Sequence, residues 1–165
     1  MSDFRLFAAT ELEAFANRTF VRMGAQADIA AEVARHLVRA NLSGHDSHGV
    51  MRITQYSGQA DRGELVPANR PLIIRESPTA LTVDAQRGFG HFATTFALDE
   101  ACLKAQRHGV AAAAIRHSTH IGRLGDYTER CAQRGLILIL TVGMAGPGVG
   151  GMVIHGGRER FFGAN

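Results

Sequence analysis

The sequence predicts an α+β fold, with an N-terminal helical unit over residues 1–66 followed by a layered sheet-and-helix domain over residues 67–165. Three observations predict it. Helical-period apolar patterns follow one another up to Gly63. Pro67, Asn69 and Pro71 then interrupt the chain. Beyond them, short apolar runs alternate with longer helical stretches, as in a layered domain.

The first helix is expected over residues 10–23, because Thr10-Glu11-Leu12-Glu13 has the capping-box form and Leu12, Phe15 and Ala16 recur at helical spacing. Residues 27–42 carry Ile29, Val33, Leu37 and Val38 with the same period and end near Ser43-Gly44. A third helix is expected from about His48, capped by Asp46 and Ser47 and closed by Arg62-Gly63. After the 64–71 linker, residues 72–74 and 80–83 read as a hairpin around Glu76-Ser77-Pro78-Thr79. Gly88-Phe89-Gly90 leads into an Ala-rich helix at 92–107 with Gly109 as its C-cap. Residues 110–116 read as a buried strand, 124–134 as a helix stopped by Gly135, and 136–142 as a second buried strand. Both runs are continuously apolar and so expect cover on both faces.

At 165 residues, 45% hydrophobic and 20% charged, the chain is ordinary for a globular protein and can bury one core. Its net charge is +3, and its 17 Arg and single Lys are scattered without a basic block, so a nucleic-acid partner is not indicated. Acidic small molecules suit that balance. Cys102 and Cys131 show no disulfide or metal-knuckle spacing and are expected as reduced, buried thiols. The N-terminus lacks an apolar signal core, and the longest apolar run falls well short of the roughly 20 residues of a membrane span. A cytoplasmic protein with no membrane partner is expected.

Chemistry concentrates in Asn41 to Tyr56, NLSGHDSHGVMRITQY. On a helix, His48 and Arg52 stand four apart on one face. A guanidinium fork matches a carboxylate, and imidazole exchanges a proton near neutral pH. The pair suits a small 2-oxo or 2-hydroxy acid, with Arg52 holding the carboxylate and His48 serving the oxygen on the adjacent carbon. The competing reading is a surface helix with a solvated Arg. His120 follows a strand end in Arg116-His117-Ser118-Thr119-His120-Ile121-Gly122, a place where layered folds put ligand contacts; a loop histidine bonded to backbone is the alternative.

Two patterns point elsewhere. Gly146-Pro147-Gly148-Val149-Gly150-Gly151 satisfies G-x-G-x-x-G after a strand, but no helical stripe follows, which argues against a Rossmann site. His45/His48 and His117/His120 each repeat H-x-x-H, so a zinc hydrolase is a rival class. It lacks the H-E-x-x-H glutamate and has neither cysteine nearby, so no metal is expected.

Asp46-Ser47-His48-Gly49 with Arg52 and Tyr56 resembles the N-terminal signature of the malate/L-lactate dehydrogenase family that lacks a Rossmann fold, whose members include ureidoglycolate dehydrogenases and diketogulonate reductases. The resemblance continues through residues 88–105, 117–122, 132–135 and 156–165. It implies a layered nucleotide- and substrate-binding domain, a hydride carrier of the NAD or NADP type, a 2-hydroxy or 2-oxo acid substrate and a homodimer. Residue by residue, it implies catalysis by His48 and His120, with the acid/base role open between them. It implies substrate contacts from Arg52 and Ser47, and cofactor contacts from Ser118, Gly122 and Asn165.

The sequence departs from the family where Gly-Thr-Asn-Pro is usual and Gly163-Ala164-Asn165 stands here, and where Asn-Ser is common and Val142-Gly143 stands here. Family members run about as long again, so residues 67–165 are expected to be the first part of the second domain. An inactive remnant or interaction partner is the alternative from a different class.

Overall fold

The structure, a computed structural model, describes residues 6–143, 152–153, 155–158 and 160–162. It opens with two antiparallel-packed amphipathic helices, α1 (Ala9–Arg22) and α2 (Ala27–Leu42). The apolar period of α2 places Ile29, Val33 and Leu37 on one fully buried stripe, facing Ala16 and Phe20 of α1. Phe15, expected in the apolar stripe of the first helix, is half exposed. The capping box does not form, because the helix starts one residue earlier on Ala8, without a side-chain cap.

A larger departure follows α2. The third helix does not begin at His48. Two single 3-10 turns, Asp46–His48 and Val50–Arg52, are separated by extended Gly49, and only then does α3 (Ile53–Asp61) run to its C-cap at Arg62. Asp46 and Ser47 cap nothing. Asn41, at the end of α2, accepts a hydrogen bond from the Val50 amide (2.9 Å) and donates to Asp46 (2.5 Å), which ties both turns back onto α2.

The expected hairpin is present. β1 (Leu72–Glu76) pairs antiparallel with β2 (Ala80–Asp84), with a bulge between Ile73 and Arg75. From β2 the chain crosses through α4 (Gly90–His108), which ends in left-handed Gly109 as expected, into β3 (Ala112–Arg116), parallel to β2. The sheet order is β1-β2-β3. Leu81 and Val83 pack on Ala97 of α4, with Ile73 and Ile115 at the margins. β3 is not the buried strand expected, since its first three residues are exposed and its outer edge has no strand partner among the described residues.

Helix α5 (Leu124–Ala132) packs on α2 and α4, joining Tyr127 and Cys131 to Leu98 and Cys102. The two cysteines are free and buried, as expected, with their sulfurs 3.6 Å apart. Burial first, and then the neighbouring Cys102, push the Cys131 thiol up to about 11. Residues 136–142 correct another expectation. They form no strand pairing among the described residues; Leu136, Leu138 and Leu140 lean on the α4–α5 core, while Ile137 and Ile139 are 98% and 88% exposed. Short strands β4 (Met152–Val153) and β5 (Arg160–Phe162) pair antiparallel farther on. The glycine run at residues 146–151 and Asn165 lie outside the described residues.

Candidate active site

The two 3-10 turns, α3, the start of α4 and the loop after β3 converge on one place. The bond that Asn41 donates to Asp46 holds the turn that carries His48, whose Nδ1 lies 2.9 Å from the Ser47 hydroxyl. The loop after β3 brings His120 alongside, and the two imidazoles stack at 5.4 Å between centroids and 29° between planes. Tyr56, on the buried side of α3, reaches His120 Nδ1 at 2.7 Å and Nε2 of His91 at 3.3 Å. His91 itself meets His36 edge-on at 4.8 Å.

The loop can lie this close to α4 for steric reasons. Gly122 has φ +78°, and a Cβ there would stand 2.5 Å from His36 Nε2 and 2.7 Å from the His91 ring. A Cβ at Gly90 would strike the Thr119 carbonyl and stand 2.6 Å from that of His120. Thr119 seals the contact by accepting from the Gly90 amide at 3.0 Å and donating to the Gly88 carbonyl at 2.9 Å.

Arg52 folds back on its own loop. Its Nε donates to the Ser47 carbonyl and its Nη1 to Gln55 Oε1, both at 2.5 Å. Nη2 and the second hydrogen of Nη1 have no partner among the described residues, so an end-on fork remains for a carboxylate. The positive charge is felt across the site. Burial, then Arg52, lowers the pKa of His48, and burial, then Arg52 and the neighbouring imidazoles, lowers that of His120 to about 4. His91 is wholly enclosed and is held well below the ordinary histidine range by that burial. Burial also raises the pKa of Tyr56, which stays a protonated phenol.

Beneath the histidines lies a charged support. His36 Nε2 accepts from the Arg123 amide at 3.0 Å, and its Nδ1 lies 3.3 Å from Asp126. Asp126 also meets Arg35 at 3.2 Å and Arg39 at 2.5 Å, and its pKa stays depressed although burial opposes this.

The structure therefore brings Ser47, His48, Arg52 and His120 together. The one-face helical geometry that motivated His48 and Arg52 is absent, because Gly49 breaks the turn between them. Ser118 is exposed on the same loop as His120, with its hydroxyl on the Thr119 carbonyl at 3.0 Å. Gly122 is occupied in packing against His36 and His91. The repeated H-x-x-H pairs diverge: His45 bonds the Ser43 carbonyl at 2.9 Å and His117 bonds Asp84 at 3.0 Å. No group of three metal-ligating side chains forms among the described residues. Sequence reasoning gave no role to Asn41, His36 or His91, and none to Tyr56 beyond its place in the signature. The position of His36 on the buried stripe of α2 was the available signal.

The model of the family described as malate/L-lactate dehydrogenase matches residues 7–165. Hydroxycarboxylate dehydrogenase B of Escherichia coli O157:H7 is 38% identical over 165 residues, covering 100% of this chain and 45% of that protein. Malate dehydrogenase of Pyrococcus abyssi is 35% identical over 127 residues, covering 77% and 35%. Among solved structures, delta1-piperideine-2-carboxylate reductase from Pseudomonas syringae pvar. tomato superposes with a TM-score of 0.79 at 27% identity, covering 97% of this chain and 47% of that one. The chain thus spans less than half the length of these relatives. With its signature histidines and arginine gathered in one site and a family match over nearly its whole length, the chain belongs to the malate/L-lactate dehydrogenase family.

Proposed function

We propose that the protein containing this chain is an oxidoreductase that transfers a hydride between NAD or NADP and a small 2-hydroxy or 2-oxo acid. The observation that carries the reading is the stacked pair His48 and His120 beside an Arg52 with unpartnered guanidinium donors. In this reading Arg52 takes the substrate carboxylate end-on, and Ser47 steadies the His48 ring through Nδ1. His48 exchanges a proton with the oxygen on the substrate's second carbon. Burial and then Arg52 lower its pKa, so the ring is neutral at pH 7 and ready to accept the proton of a 2-hydroxy acid.

Hydride chemistry belongs to the nicotinamide when bound, and the side chains orient the acid and move the proton. Ser118 is exposed beside His120 and has the donor and acceptor character that a carboxamide needs. Gly122 contributes the close loop packing, and Asn165 completes the proposed cofactor set. A helical unit over residues 1–66, a second domain from residue 67 and a homodimer belong to the same proposal. The names of the relatives, hydroxycarboxylate dehydrogenase and malate dehydrogenase, support the acid substrate.

The test is an initial-rate assay of the full-length enzyme with NADH or NADPH against small 2-oxo acids. Arg52→Ala raises KM by about tenfold or more with a smaller change in kcat, whereas His48→Ala lowers kcat by about 100-fold or more. Small and equal effects from both substitutions would remove this face from the active site.

A further inference from the structure

Tyr56 bridges two imidazoles, and the two bonds are unequal: 2.7 Å to His120 Nδ1 and 3.3 Å to His91 Nε2. We propose that this run is directional: His91 donates from Nε2 to Tyr56, Tyr56 donates to His120 Nδ1, and His120 is thereby fixed as the neutral tautomer carrying its proton on Nε2.

The direction follows from the far end of the run. His91 is wholly buried, and its Nδ1 has no partner among the described residues. A neutral His91 must leave either an N–H or a lone pair unmatched at that atom. An orphaned buried donor costs about 1–3 kcal/mol, and under-satisfied acceptors are better tolerated. The lone pair therefore sits on Nδ1 and the proton on Nε2, which aims it at the Tyr56 oxygen. Tyr56 has one hydrogen and gives it to the remaining neighbour, His120 Nδ1. The distances agree, since hydroxyl donors make bonds near 2.7 Å and ring N–H donors make longer ones. Burial keeps both histidines neutral near pH 7, so the two tautomers are coupled through one phenol.

His120 Nε2 has no hydrogen-bond partner among the described residues. On the reading proposed above, on which this consequence rests, its N–H polarises the substrate's second oxygen as a fixed neutral donor. Proton exchange is then left to His48. His91, wholly buried, is a positioning residue that acts through Tyr56.

The test is long-range proton–nitrogen correlation NMR of protein labelled with 15N-histidine at pH 7, with His120→Gln to assign its signals. The protonated and bare nitrogens of a neutral imidazole differ widely in shift. His120 and His91 are both expected as single Nε2–H tautomers. In Tyr56→Phe, which removes the hydroxyl and keeps the ring, His120 is expected to shift toward a mixture of the two tautomers. A proton on His120 Nδ1 in the unsubstituted protein overturns the proposal, and so does a His120 pattern unmoved by Tyr56→Phe. The unsubstituted spectrum decides the direction even where the variant does not fold. The readout needs no turnover: an inactive protein with the Nε2–H pattern would overturn the proposed function and support this inference.

Discussion

At the scale of single residues, the site is organised by what burial does to histidine. His120 is enclosed near Arg52 and His48, and His91 near His36 and His120, so the charged imidazolium is disfavoured twice, by lost hydration and by like charge. In the unfolded chain these rings titrate near 6.5; in the fold His120 titrates at about 4. Between those values the unfolded chain takes up protons that the fold refuses. Stability is therefore full above the unfolded value and falls as pH drops from 6.5 toward 4, by up to about 1.4 kcal/mol per pH unit for each ring. Denaturant titrations at a series of pH values measure that slope. His120→Gln should flatten part of it, and an unchanged slope in that variant would assign the acid sensitivity elsewhere.

The element most at odds with its surroundings is the run at residues 136–142. Its leucines cover Tyr127, Leu98 and the cysteine pair, while Ile137 and Ile139 face solvent, and the outer edge of β3 is unpaired among the described residues. Exposed alternating isoleucines and an open sheet edge each favour self-association. A polypeptide of these 165 residues is expected to associate at micromolar concentration, as sized by light scattering, and to show no measurable affinity for NADH or NADPH by fluorescence titration. Ile137→Lys with Ile139→Lys should lower the apparent mass without loss of melting temperature. Leu138→Ala, on the covered face, should cost about 2 kcal/mol, the low end for a core leucine because the side chain is only half buried. A monodisperse chain that binds either nucleotide tightly would contradict the first expectation.

For the whole molecule, the decisive contact is between the helical unit and the layered part. Asp126 of α5 receives Arg35, Arg39 and His36 from α2, while Arg130 joins Glu32 of α2 to Asp99 of α4. This network fixes α2 against α4 and α5, and with it the distance from His36 to the loop of His120. Asp126→Asn should destabilise by roughly 2–3 kcal/mol, less than a fully enclosed pair because both arginines keep access to water. Thermal melts at low and high salt are the measurement. A loss of less than about 0.5 kcal/mol would show the network to be an ordinary surface one.

The sequence alone determined the elements whose stability is local. The stripe of Ile29, Val33 and Leu37, the Gly109 cap of α4 and the hairpin around Ser77-Pro78 each depend on neighbours a few residues away, so period and turn chemistry reveal them. The signature residues Ser47, His48 and Arg52 and the later His120 were legible as types suited to acid chemistry. Their geometry was not. The break at Gly49 depends on Asn41 reaching the Val50 amide nine residues on, and residues 136–142 have no strand partner among the described residues because a strand needs a partner that an apolar run does not itself supply. The roles of His36, His91 and Tyr56 were decided only in the tertiary structure. Burial is a property of what packs against a side chain, and it is burial, through the cost of an unmatched N–H, that turns three ordinary polar residues into the support of His120.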